Sequence, residues 1–322
     1  MARGGSLRSH RCAGLPPLWG LRRQRGSCRL GATTRPSYQI FLFIVSCALA
    51  PVVAADGPTD SVQAALIPEV TAVQPGRPFW VAVRLTMADG WHTYWTNPGD
   101  AGLPTKIRWQ LPDGFRAGPI HWPFPSTFRT ESVASYGYDG EVWLLNELTA
   151  AETLEPGTSV PVAARVEWLQ CKDLCIQGAA DLAVELPVRP ADGPSLDPSR
   201  AEEFLAARAR LPRPSAGWDV QAAHRKKQIL VRAIPPADLL TEAWSVVGLF
   251  PQEPAVIEHA APQSSTPLDH GYLIEVVRSR FAATPPPQLR AVLVLRGPQA
   301  GGEVPVQAVE LQTPIASKAA WK

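Results

Sequence analysis

Thiols are scarce in this chain, scarcer than its five cysteines suggest. Cys12, Cys28 and Cys47 lie in or before what reads as an export signal, so the exported part keeps only Cys171 and Cys175. One pair excludes a disulfide-dense scaffold. Histidines are scattered, with none near the pair in sequence. A zinc site, which wants four ligands, is therefore not written into the spacing. Methionine is scarcer still, only Met1 and Met87, which speaks against direct copper handling. No apolar run approaches the roughly 20 residues that span a bilayer. Helical periodicity is also scarce. No metal and no cofactor is expected.

The leader explains the charge. Residues 1–55 hold eight arginines, no lysine and no acid, and an apolar run at 40–50 leads through small residues to Ala54, Ala55 and Asp56. Basic region, short apolar core and small-residue cleavage site are the parts of a secretory signal. The compact core argues against an organellar transit peptide. The run Ile44-Val45-Ser46-Cys47 also resembles a lipobox, which would place a lipid anchor on Cys47. Beyond residue 55 remain 23 basic and 29 acidic residues, about −6. That gives no support for binding nucleic acid or an anionic membrane. The exported chain belongs in an oxidising compartment, where a disulfide persists.

What is abundant is proline, 34 residues, between short β-rich runs. Residues 79–85, 141–145 and 160–168 alternate as strands do, and 228–234, 245–250, 272–277 and 289–295 repeat the pattern later. Regular turns between such runs predict β-sandwiches. Four prolines and a glycine interrupt the pattern at 187–198. Ser199-Arg200-Ala201-Glu202 then reads as a capping box opening a short helix that ends before Pro212. The expected organisation is a leader (1–55), a first sandwich (56–190), a linker with one helix (191–216), a second sandwich (217–316) and a tail (317–322).

The pair sits between two predicted strands. In a straight strand, residues four apart lie roughly 13 Å apart, whereas a disulfide needs Cα atoms within about 7 Å. If the two sulfurs are bonded, the chain turns at Lys172-Asp173-Leu174. Three readings stay open at this level: a redox-active pair, a staple on a turn, or part of a metal site. A staple over about five residues is worth only ~2 kcal/mol by chain entropy. For redox work one sulfur must be reachable. Lys172 would favour a thiolate and Asp173 oppose it. Trp91, Trp95, Trp109, Trp122, Trp143 and Trp168 read as sandwich core and strand edges, or in part as a docking groove. Asn97-Pro98-Gly99-Asp100 reads as a turn. His92 and His121 read as structural, and Glu131 and Asp139 as carboxylates able to tune a cysteine.

Three blocks carry a resemblance: GWHTYWTNPGDAGLPT at 90–105, GYDGEV at 137–142 and EWLQCKDLCIQG at 167–178. In that order they resemble the N-terminal periplasmic region of DsbD-type, especially ScsB-like, thiol:disulfide interchange proteins. The likeness covers residues 60–190 well and the later strands loosely. It implies all-β architecture with immunoglobulin-like β-sandwich domains. It also implies that Cys171 and Cys175 are the catalytic pair, shielded by an aromatic side chain of a cap loop. The matching segment is 135–138, which offers Tyr136 or Tyr138 as cap and partner-binding residues. Implied partners are a periplasmic thioredoxin-like protein as electron acceptor and a separate membrane-embedded electron donor. Neither the family's multi-helix membrane domain nor its thioredoxin-like domain occurs in these 322 residues, so the chain reads either as a stand-alone module served by a separate membrane protein or as a truncated or split member. ScsB-like systems are associated with copper tolerance, expected here only indirectly. Gln177 departs from the subfamily pattern, which has proline there.

Overall fold

Alternation of inward and outward side chains builds three sheets in the computed structural model, which describes residues 61–190, 195–237, 244–281, 286–298 and 306–319. The leader with Cys47, and residues 320–322 of the tail, lie outside the described residues. The first sheet is antiparallel, in the order β1 (Val62–Pro68), β2 (Pro78–Met87), β8 (Glu141–Thr149), β5 (Arg116–His121). The second runs β10 (Cys175–Pro187), β9 (Ser159–Cys171), β3 (His92–Gly99), β7 (Ala134–Asp139), β6 (Ser126–Arg129), with β4 (Lys106–Gln110) also on β9. Between them Val83, Leu85, Trp95, Leu144, Val166 and Trp168 form a closed core. In β9 the even positions 160–168 are buried or nearly so, and the odd ones face outward. That is the period-2 pattern of a half-buried strand.

The third sheet has eight strands. Its order is β14 (Ser245–Pro251), β17 (Gln288–Arg296), β18 (Val306–Ala316), β12 (Asp219–Arg225), β13 (Gln228–Ile234), β16 (Gly271–Val277), β15 (Ser264–Leu268), with the short β11 (Arg213–Pro214) on β18. A two-pair parallel contact, Ala222–Ile315 and Ala223–Ala316, joins its halves. The halves share a core that includes Ile229, Val231, Ile274, Leu289, Leu293 and Leu311. The described chain is thus all-β in sandwich-like layers, as its alternation predicts.

The run Ala291–Leu295 is apolar at every position because β17 is buried on both faces. Leu289, Ala291, Leu293 and Leu295 face the later core, whereas Val292 and Val294, with Phe250, pack with Trp95 and Tyr136 of the earlier one. All these residues lie in one compact unit, Ala55–Lys322.

Among the described residues there is one α-helix, α1 (Ala201–Ala209). It ends before Pro212 as expected, but its start is capped differently. The Asp197 carboxylate accepts from the Ser199 amide and hydroxyl (3.0 and 2.7 Å), opening a 3-10 turn that runs into α1. Aspartate two residues upstream therefore takes the place of the expected Ser199 capping box. The helix is docked against the first sheet, with Phe204 and Ala207 on Ile67, Ala82 and Leu145. Burying the phenyl ring contributes roughly 2–3 kcal/mol. Arg208 makes a bidentate pair with Glu69 (2.6 and 2.6 Å).

Candidate functional site: the disulfide at the β9–β10 tip

Strands β9 and β10 form a long hairpin whose first ladder pair is Cys175 opposite Cys171. The chain turns at Lys172-Asp173-Leu174 as predicted, and the cysteines are joined by a disulfide with Cα atoms 4.2 Å apart. Alternation along β9 puts Cys171 on the face away from the sandwich core. The two cysteines differ in exposure. Cys171 is 3% exposed, while Cys175 is exposed. Leu174, between them, is 77% exposed. Lys172 does not turn back to the sulfurs; its Nζ donates to the Asp89 carbonyl at 3.1 Å.

What covers Cys171 is Tyr94. Its hydroxyl donates to Cys171 Sγ at 2.8 Å and lies 3.8 Å from Cys175 Sγ. Burial pushes the Tyr94 phenol above its ordinary value, which keeps it a protonated donor at neutral pH. His92 occupies the ladder position opposite Cys171, two residues from Tyr94 on the same face. Its ring stacks on Phe128 (centroids 4.5 Å, 14°) and stands edge-on to Tyr94 at 5.2 Å. Burial lowers the His92 pKa, and Asp139, opposite it in β7, partly offsets that. The imidazole is therefore neutral near pH 7 and acts as a wall for the tyrosine.

The aromatic residues of segment 135–138 sit elsewhere. Tyr136 is 1% exposed, edge-on to Trp95 and Phe250, with its hydroxyl 3.1 Å from His259 Nδ1. Tyr138 is buried and donates to the Pro123 carbonyl at 2.8 Å. The hydroxyl brought to the sulfurs is that of Tyr94, which lies inside the first family block. The signal available in sequence was the spacing of His92 and Tyr94, which puts both on one strand face. The register placing that face beside Cys171 is a long-range property.

Behind the pair, Gly178 receives the Trp168 indole. A Cβ there would lie 2.4 Å from the ring. Gln177 stands opposite Leu169 in the ladder. A groove of about 400 Å³ runs along this side, lined by Leu103, Pro104, Trp168, Leu169, Gln177 and Gly178 among others. Among the described residues no cluster of three or more His, Cys, Asp or Glu side chains is placed to hold a metal. No described helix is long and apolar enough to cross a membrane.

Sandwich layers with one cystine at a hairpin tip define the class: a β-sandwich protein with a surface thiol–disulfide site. Residues 63–187 match the family model described as thiol:disulfide interchange protein DsbD, N-terminal. Over that stretch the chain is similar to the DsbD N-terminal region. The N-terminal periplasmic domain of ScsB from Proteus mirabilis shares the fold, with TM-score 0.54 and 18% identity over 81% of this chain and 95% of that one. The reduced DsbD N-terminal domain of Neisseria meningitidis aligns at 16% identity and TM-score 0.24, over 41% of this chain and 91% of that one. No curated protein matches the chain.

Proposed function

We propose that the protein is a thiol–disulfide exchange module that passes electrons to a periplasmic thioredoxin-like protein and is recharged by a separate membrane-embedded donor. The observation that carries this reading is the unequal exposure of two bonded cysteines at the tip of a long hairpin. A staple is not needed there, since the ladder from Cys171–Cys175 to Ser159–Pro187 already holds the turn. Export to the periplasm is part of the same proposal, supported by the leader and by the DsbD-type match.

In the reduced module, Cys175 is the reachable nucleophile. Its thiolate attacks one sulfur of the acceptor's disulfide, forming a mixed disulfide and releasing the acceptor's other sulfur as a thiolate. Cys171, deprotonated, then attacks Cys175 Sγ. The Cys171–Cys175 bond forms, the mixed disulfide breaks, and the acceptor leaves with both sulfurs reduced. Two electrons and two protons have moved. Tyr94 supports the second step by donating to Cys171 Sγ, because a hydrogen bond to a thiolate is stronger than one to a neutral sulfur.

Serine variants test the order. Cys171→Ser should accumulate a mixed disulfide through Cys175 when mixed with an oxidised thioredoxin-fold protein, because resolution is blocked. Cys175→Ser should trap at least about tenfold less, its remaining thiol being buried. Equal trapping by both variants contradicts the assignment. Wild-type exchange rates in both would end the exchange reading altogether.

A further inference from the structure

We infer that Asn97 is a positioning residue for the disulfide, holding Tyr94 on Cys171 by clamping β3 to the later sandwich. The inference rests on the exchange reading above and extends it to a residue that touches neither sulfur.

Strand β3 is shared between two surroundings. On its outer face, His92 and Tyr94 stand beside the cystine. On its other face, Trp95 packs edge-on to Phe250 at 6.4 Å, and Asn97 points at the backbone at and just beyond the end of β14. The β3–β7 ladder holds His92, Thr93 and Tyr94 opposite Asp139, Tyr138 and Gly137. It then breaks, and the next pair is Gly99 with Ser135. Four residues of β3 face one residue of β7 across this irregularity, a geometry that re-aims side chains and leaves backbone without a ladder.

Asn97 fills that gap. It is buried, and its Nδ2 donates to both the Pro251 and Glu253 carbonyls (2.8 and 3.0 Å). Its Oδ1 accepts from the Gly99 amide at 3.2 Å. Three of the four bonds an amide side chain can make are thus used. The sequence continues as a strap: Asp100 Oδ2 accepts from the Ala134 amide at 2.9 Å, and the Ser135 hydroxyl donates to the Ala101 carbonyl at 3.0 Å. The strap then returns to the tyrosine. At Gly102, φ is +119°, and a Cβ would lie 2.2 Å from the Tyr94 ring. The Asn-Pro-Gly-Asp motif, expected as a turn, is therefore a joint. It ties the ring that touches Cys171 to residues 251–253 from two sides.

The test is a double-mutant cycle of Asn97→Ala and Tyr94→Phe, in the full chain with Cys12, Cys28 and Cys47 replaced by serine. The oxidised-to-reduced ratio of Cys171–Cys175 is read by alkylation and mass shift across a glutathione series. Tyr94→Phe removes a donor that favours the reduced pair and should raise the oxidised fraction's ratio about tenfold. Asn97→Ala should raise it about threefold in the wild-type background and leave it unchanged in Tyr94→Phe, because the residues act as one unit. Phe204→Ala, which loosens α1 on the first sheet and not on the sheet that carries the cystine, should lower the melting temperature without moving the ratio. Asn97→Ser replaces the alanine variant should that fail to accumulate folded. An Asn97 effect of equal size in both backgrounds, or none in wild type, overturns the inference. If the wild-type pair stays oxidised throughout the glutathione series, the exchange reading fails on its own. The same cycle against dithiothreitol then still decides the role of Asn97.

Discussion

At the scale of single residues, the site is an asymmetry between two sulfurs. Cys171 is covered by a tyrosine hydroxyl, and Cys175 is open. The cysteine pair and its turn were legible in sequence because the spacing and the flanking strands leave the chain one place to reverse. Tyr94 was not legible as the covering group. A tyrosine between a histidine and a tryptophan looks like any aromatic strand residue until the register of β3 on β9 is known. The same holds for Asn97, whose carbonyl partners at Pro251 and Glu253 lie more than 150 positions away. Gly178 makes the point in reverse: nothing local marks it as special, yet the Trp168 indole occupies the space of its missing side chain. Gly178→Val should cost about 1–3 kcal/mol in chemical denaturation, the range for forcing atoms into filled space. A cost within about 0.5 kcal/mol of zero, typical of an ordinary surface change, would show that Trp168 moves aside freely.

At the scale of elements, strands were easier to read than their ends. β2, β8, β9, β13, β14, β16 and β17 all occur where alternation placed them. The sequence points to Ser199 as the helix start because a serine followed three residues later by glutamate looks the same whether or not a better acceptor precedes it. Asp197 is that acceptor. Its charged carboxylate competes successfully for the Ser199 amide and takes the serine hydroxyl as well. The continuous apolar run of β17 reads as a strand in the sequence. That it carries two cores, one on each face, follows only from the packing of Val292 and Val294 toward Trp95.

At the scale of the molecule, the earlier and later sheets are bound through buried polar groups as well as apolar ones. His259 lies at that contact, buried, with Nδ1 facing Tyr136 and with Nε2 unpartnered among the described residues. Burial lowers its pKa from the ordinary 6.5, and Asp100 and Glu258 only partly offset this. His92 and His224 are lowered as well, both chiefly by burial. A histidine depressed in the fold binds its proton more readily when unfolded, so stability rises with pH across that window. The contribution is full above pH 6.5 and is lost as pH falls through the folded values. The melting temperature should therefore be lower at pH 5 than at pH 7.5, and His259→Gln should flatten the difference. An unchanged slope in that variant would remove His259 from the explanation.

In the proposed function, Cys171–Cys175 exchanges electrons and is not a brace. Its most direct test is the reduction potential of the pair in the purified protein, by equilibration with glutathione and dithiothreitol and counting of alkylated thiols. An exchanging pair should lie between about −120 and −270 mV, the range of exchange catalysts. A value below about −300 mV would mark a structural bond and contradict it.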